Sequence, residues 1–146
     1  MTSVSPMSSS PSAGRPRNVN ESFVLDASAL LCLLHDEKGA ARVAEALPRS
    51  IVSAVNLSEA IAKLGDAGLP VDHISAAIES LQLSIVSFEE DQAEFAGLLR
   101  PKTRHVGLSF GDRACLALGL MRKAIVLTCD RAWLKLDLGV AVEQIR

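Results

Sequence analysis

The strongest constraint in this chain is an alternation: short apolar runs, too brief for helices, are each followed by a stretch with helical periodicity. FVL (23–25), IVS (51–53), LSIVSF (83–88) and IVLT (125–128) read as strands. Between them lie predicted helices over Ala29–His35 and Gly39–Leu47, the second closed by Pro48. Another covers Ala54–Asp66, with Leu57, Ala60, Ile61 and Leu64 on one stripe and Gly65 and Gly68 at its end. Pro70 and Asp72 open a helix carrying Ile74, Ala77, Ile78 and Leu81, and further helices are expected over Glu90–Leu99 and Gly111–Arg122. RPKTRHVGLSF (100–110) reads as a loop, and a last short strand is expected near Val140–Val142. Strands alternating with helices indicate a parallel-sheet α/β domain, because a parallel pair needs a crossover between its strands.

A chain of 146 residues, 49% hydrophobic and 22% charged, can bury a core without disulfides or a structural metal, and one domain is expected. Residues 1–20, rich in Ser, Pro, Gly and Asn, read as a disordered tail, leaving 21–146 as the folded domain. No apolar run approaches the roughly 20 residues that cross a bilayer, so no membrane contact is expected. The N-terminus lacks a secretory signal, and Cys32, Cys115 and Cys129 show no C-x-x-C spacing. A cytoplasmic location follows, with the cysteines as small buried hydrophobes.

Net charge is −2, yet residues 21–99 hold 13 acids and 4 bases while residues 100–146 hold 4 acids and 9 bases. Such asymmetry suits either ordinary surface or contact with nucleic acid. With no Tyr, one Trp and four Phe, any such contact must rely on phosphates and shape more than on base stacking.

Four acids fall where an open parallel sheet usually carries its site, outside the carboxyl ends of the strands. Asp26 follows FVL directly, and Asp130 follows IVLT after one residue. Glu59 lies about two turns into the helix after IVS, and Asp112 opens the helix after LSF. Each has a plain structural reading. Asp26 and Asp130 suit helix caps, Ser109 to Asp112 has the form of a capping box, and Glu59 could pair with Lys63 one turn on. Gathered in one crevice, however, four carboxylates repel unless a cation lies among them, and hard divalent ions with oxygen ligands, Mg2+ or Mn2+, answer that need. The chain has no phosphate-binding glycine loop and no nucleophile elbow, and His35, His73 and His105 lack metal-ligand spacing.

FVLDASALLCLL (23–34), IVSAVNLSEAIAKL (51–64), RHVGLSFGDRACLAL (104–118) and IVLTCDRAWLKLDLGV (125–140) resemble, in order and spacing, the four acidic blocks of PIN-domain ribonucleases of the VapC toxin type. The resemblance spans the folded part, and D-x-S-A, G-D-R-x-C-L-A-L and L-T-x-D-R-A-W carry it. It implies a three-layer α/β/α fold around a mostly parallel sheet of about five short strands. It implies Asp26, Glu59, Asp112 and Asp130 as catalytic, metal-holding acids, with Ser28 and Thr128 steadying carboxylates or water. It further implies a Mg2+- or Mn2+-dependent endoribonuclease leaving 5′-phosphate and 3′-hydroxyl ends. A small antitoxin protein as partner, with a basic side chain entering the acidic site, and a homodimer are likewise implied. The Ser/Pro-rich leader departs from the compact toxins, as do Gly119 and Cys129, which stand where Ala is common.

Two phosphotransfer folds also place an Asp after their first strand. Ser28 removes the D-x-D of the haloacid dehalogenases, and the adjacent acid pair of receiver domains is missing. A PIN-like module that binds RNA or protein without cutting is the remaining alternative.

Overall fold

Phe23, Val24 and Leu25 are fully buried because their strand is covered on both faces. In the computed structural model, which describes residues 21–146, this strand β1 (Phe23–Leu25) is the centre of a sheet with β2 (Ser50–Ser53), β3 (Ile85–Val86), β4 (Ile125–Thr128) and β5 (Val142–Gln144). The expected tail over 1–20 lies outside the described residues. Strand order is β3-β2-β1-β4-β5 and every pairing is parallel, so the sheet is wholly rather than mostly parallel.

The helices are α1 (Ala27–Leu34), α2 (Ala40–Ala46), α3 (Ala54–Asp66), α4 (Val71–Ser80), α5 (Glu90–Leu98), α6 (Arg100–Thr103) and α7 (Phe110–Arg122). They cover the sheet from two sides, and the alternation of side chains along β1 assigns the layers. Phe23 and Leu25 pack with Leu127 and Val52 against Ala29, Leu30, Val43, Ala46 and Ala60 of α1 to α3. Val24 and Val126 face Ala96, Cys115, Leu116 and Leu118 of α5 and α7, with Trp133 closing that layer. This is the expected α/β/α arrangement.

Close packing of α7 on the sheet depends on Gly119. A Cβ there would stand 2.5 Å from Val126 Cγ2 and 3.2 Å from Val140 Cγ2, so the glycine sets the helix-to-sheet distance. At the sheet edge, Arg42 of α2 donates to both carboxylate oxygens of Glu143 in β5, at 2.6 and 2.9 Å, and to Glu45 at 2.7 Å. That fork anchors the last strand to the α1 to α3 side.

Three expectations shift. The segment 100–110 is not a plain loop: it forms α6 and a tight turn over Arg104–Val106, ended by Gly107 at φ +73°. Pro101 is tolerated because a first helical turn needs no donor at that position. The third strand shrinks from 83–88 to Ile85–Val86, an edge strand that pairs only with Val52 and Ser53. The last strand begins at Val142, not Val140, because the β4 register opens at Val126 with Val142; both valines pack on the α7 layer.

Candidate metal centre

After β1 the chain runs outward to β2 and β3, then crosses to β4 and β5 on the other flank. The carboxyl ends of β1 and β4 therefore border the crevice where strand order reverses. Asp26 leaves β1 into that crevice and is only 5% exposed. Its Oδ1 accepts from the Ala29 amide at 2.8 Å and the Ser28 hydroxyl at 2.7 Å, and its Oδ2 from the Thr128 hydroxyl of β4 at 2.6 Å. Capping α1 and seating a carboxylate at the sheet's switch point are one arrangement, and it is why α1 starts at Ala27, two residues before the expected start. Burial pushes the Asp26 carboxyl up to about 6, against the pull of these three hydrogen bonds and with a further push from the Asp112 charge. Ser28 also accepts from the Cys129 amide at 2.9 Å, and Thr128 from the Asp130 amide at 3.0 Å, so both hydroxyls tie α1 to the end of β4.

The second half of the site comes from α3 and α7. Ser109 and Asp112 form a reciprocal capping box: the Asp112 amide donates to Ser109 Oγ at 3.1 Å and the Ser109 amide to Asp112 Oδ2 at 3.0 Å. Glu59 is half-buried and forms no pair with Lys63; its carboxylate lies directly over Gly111, so closely that a Cβ there would overlap it. Asn56, one turn earlier and 1% exposed, donates to Glu59 Oε1 at 2.8 Å and to the Gly111 carbonyl at 3.0 Å. Of the expected stripe on α3, Ala60 and Leu64 are buried and Leu57 packs partly buried on the core, while Ile61 is exposed; Asn56 extends the buried line.

Cys115, one turn past Asp112 in α7, reports how these parts converge. Its thiol is pushed well up, first by burial and then by the charges of Asp26, Asp112 and Glu59. Three of the four expected acids therefore act on one point. Asp130 is placed differently: it is exposed, caps the turn Arg131–Lys135 through Ala132 at 2.9 Å, and joins the others only through Thr128.

Among the described residues, no Lys, Arg or His forms an ion pair with any of the four acids. Nor do three acidic, His or Cys side chains stand close enough to cage an ion as they are. Bare carboxylates repel, and here each is turned to a local donor: Asp112 to Ser109, Glu59 to Asn56, Asp130 to Ala132. What remains is an all-oxygen donor set with uncompensated charge around a buried Asp26. That chemistry fits a hard divalent cation. Asn56 and Gly111 escaped the sequence reading; the available signal was an Asn one turn before the acid, facing the buried side of its helix.

The fold is similar to that of solved toxin–antitoxin structures. The VapBC-5 structure from Mycobacterium tuberculosis is 25% identical, with 86% of this chain and 98% of that one covered and a TM-score of 0.57. A DNA-bound VapBC from Salmonella typhimurium is 18% identical over 86% of this chain and 99% of that one, with a TM-score of 0.69. VapBC2 from Rickettsia felis, bound to a promoter DNA fragment, is 13% identical over 84% and 97%, also at 0.69. No curated protein matches the chain. The PIN domain family model matches residues 23–138, and the chain belongs to the PIN-domain family. Among the described residues no helix is long and apolar enough to cross a membrane.

Proposed function

We propose that this PIN domain is a Mg2+- or Mn2+-dependent endoribonuclease and the toxin of a toxin–antitoxin pair. The observation that carries the reading is a buried Asp26 seated by Ser28 and Thr128 at the switch point, with Glu59 laid on the α7 turn that bears Asp112, and no ion pair to any of these acids among the described residues. Asp26 and Asp112 would hold the cation, Glu59 would join them or orient water, and Asp130 would approach from the rim. When bound, the cation acidifies water and neutralises charge at the scissile phosphate during in-line attack. The protein's own contribution is to seat Asp26 through Ser28 and Thr128, and to exclude bulk water from its carboxylate by burial. A cytoplasmic location, a homodimer and a small antitoxin belong to the same reading. The structural neighbours that are toxin–antitoxin complexes support the antitoxin, and a crevice with unpaired acids suits a basic side chain from it.

Asp112→Asn tests the reading, since Asn keeps the size and most of the capping ability while removing a charge from the site. Cleavage of a structured RNA with Mg2+ or Mn2+ should collapse while the metal-free melting temperature holds. If the acids act as a unit, Asp26→Asn combined with Asp112→Asn should be scarcely worse than either alone. Full activity in Asp112→Asn, or a parent whose melting point ignores both cations, would falsify the nuclease and leave an RNA- or protein-binding module.

A further inference from the structure

Asn56 stands out among the described residues because it is a polar side chain buried to 1% exposure in the first turn of α3, yet the cap of that turn is Ser53 and the Asn56 amide bonds elsewhere. Its amide nitrogen bridges two acceptors, Glu59 Oε1 at 2.8 Å and the Gly111 carbonyl at 3.0 Å. Both partners are acceptors only, so the amide has one permissible orientation; turned over, its oxygen would face two oxygens. In the permitted orientation Oδ1 is buried without a hydrogen-bond partner. An apolar residue at this position would avoid that cost, and a packing role alone would not call for an amide.

The two bonds have a joint result. One holds Glu59 and the other holds the first turn of α7, the turn that carries Asp112. Glu59 is pressed onto Gly111, the one residue type whose lack of a Cβ leaves room for it. We propose that Asn56 is a positioning residue which, with Gly111 as its platform, fixes Glu59 against the Asp112 end of α7 and so sets the spacing of the two acids for a divalent cation. The inference rests on the metal reading above and adds to it a residue that touches neither cation nor substrate. Metal sites depend on such outer hydrogen bonds because a ligand free to rotate must be ordered anew at each binding event.

The test follows cation binding rather than turnover: the Mn2+ concentration at which the melting temperature has risen halfway, in the full chain with Asn56→Ala, Glu59→Gln and both together. Loss of an outer partner typically weakens a metal by roughly 10- to 100-fold, and Asn56→Ala should shift the midpoint within that range. In the Glu59→Gln background the same substitution should shift it hardly at all, because Asn56 acts through Glu59. Gly111→Ala, which evicts the Glu59 carboxylate from the other side, should reproduce the Asn56→Ala shift and serves if that variant does not fold. A midpoint unchanged by Asn56→Ala and Gly111→Ala overturns the inference and leaves the metal site standing. An equal shift with and without Glu59 shows a general structural role and also overturns it. A parent with no response to Mn2+ overturns the metal reading and, with it, the role given to Asn56.

Discussion

Asp26 is asked to be two things, a helix cap that wants a full charge and a buried group that resists one. Its raised pKa, about 6 against an ordinary 3.8, records that burial wins in the metal-free protein. The native state then holds the Asp26 proton more tightly than the unfolded chain does. The associated stability is fully present below about pH 4 and is lost as pH rises through about 6. A shift of this size corresponds to roughly 3 kcal/mol at most. Asp26→Asn should therefore be more stable than the parent at pH 7 in chelator, by up to about that amount, with the advantage fading toward pH 4. Its oxygen can still accept from Ala29 and Ser28, while the Thr128 hydroxyl turns to accept from the new amide. Urea unfolding of both proteins from pH 4 to 8 checks this; a parent that is the more stable of the two at pH 7 without metal would refute the assigned cause.

At the scale of elements, helix α7 does the most positioning, and it can do so because Gly119 lets it lie close to β4. Gly119→Ala forces its new methyl against Val126, and overpacking of a tight contact costs about 1–3 kcal/mol. The loss should be smaller in a Val126→Ala background, where the methyl finds space, as compared by urea midpoints. Equal losses in both backgrounds would mean that the strain lies elsewhere. The elements most readily read from sequence were those whose pattern is set locally. FVL and IVLT have apolar runs, and the acids Asp26 and Asp112 double as caps, so both strand ends and helix starts mark them. The α6 turn was hidden because RPKT has no apolar period and carries a proline at its second position. The β5 register is set by pairing with β4, and the Asn56 bridge joins residues 55 apart in the chain. No window of sequence contains such contacts.

The whole molecule is charged unevenly, with nine bases and four acids in residues 100–146. Lys102 and Arg104 sit exposed on the α6 segment ahead of the Asp112 turn, and neither forms an ion pair among the described residues. Single-stranded RNA binding by Asp112→Asn, which should not cut, is expected to weaken steeply with salt. Lys102→Gln and Arg104→Gln should each lower the log–log slope by roughly 0.7 if each meets one phosphate. Unchanged slopes would put the phosphate contacts elsewhere.

The Asp26 to Thr128 bond spans 102 residues, nearly the whole described chain. On a ribosome adding about 5–20 residues per second, the carboxylate emerges roughly five to twenty seconds before the hydroxyl that seats it. During that interval β1 also lacks β4, one of its two neighbours in the sheet. A chain that stops before Ile125 carries Asp26, Glu59 and Asp112 yet cannot assemble them around the switch point. The acids are inherited early in synthesis, and the site exists only once β4 has followed them.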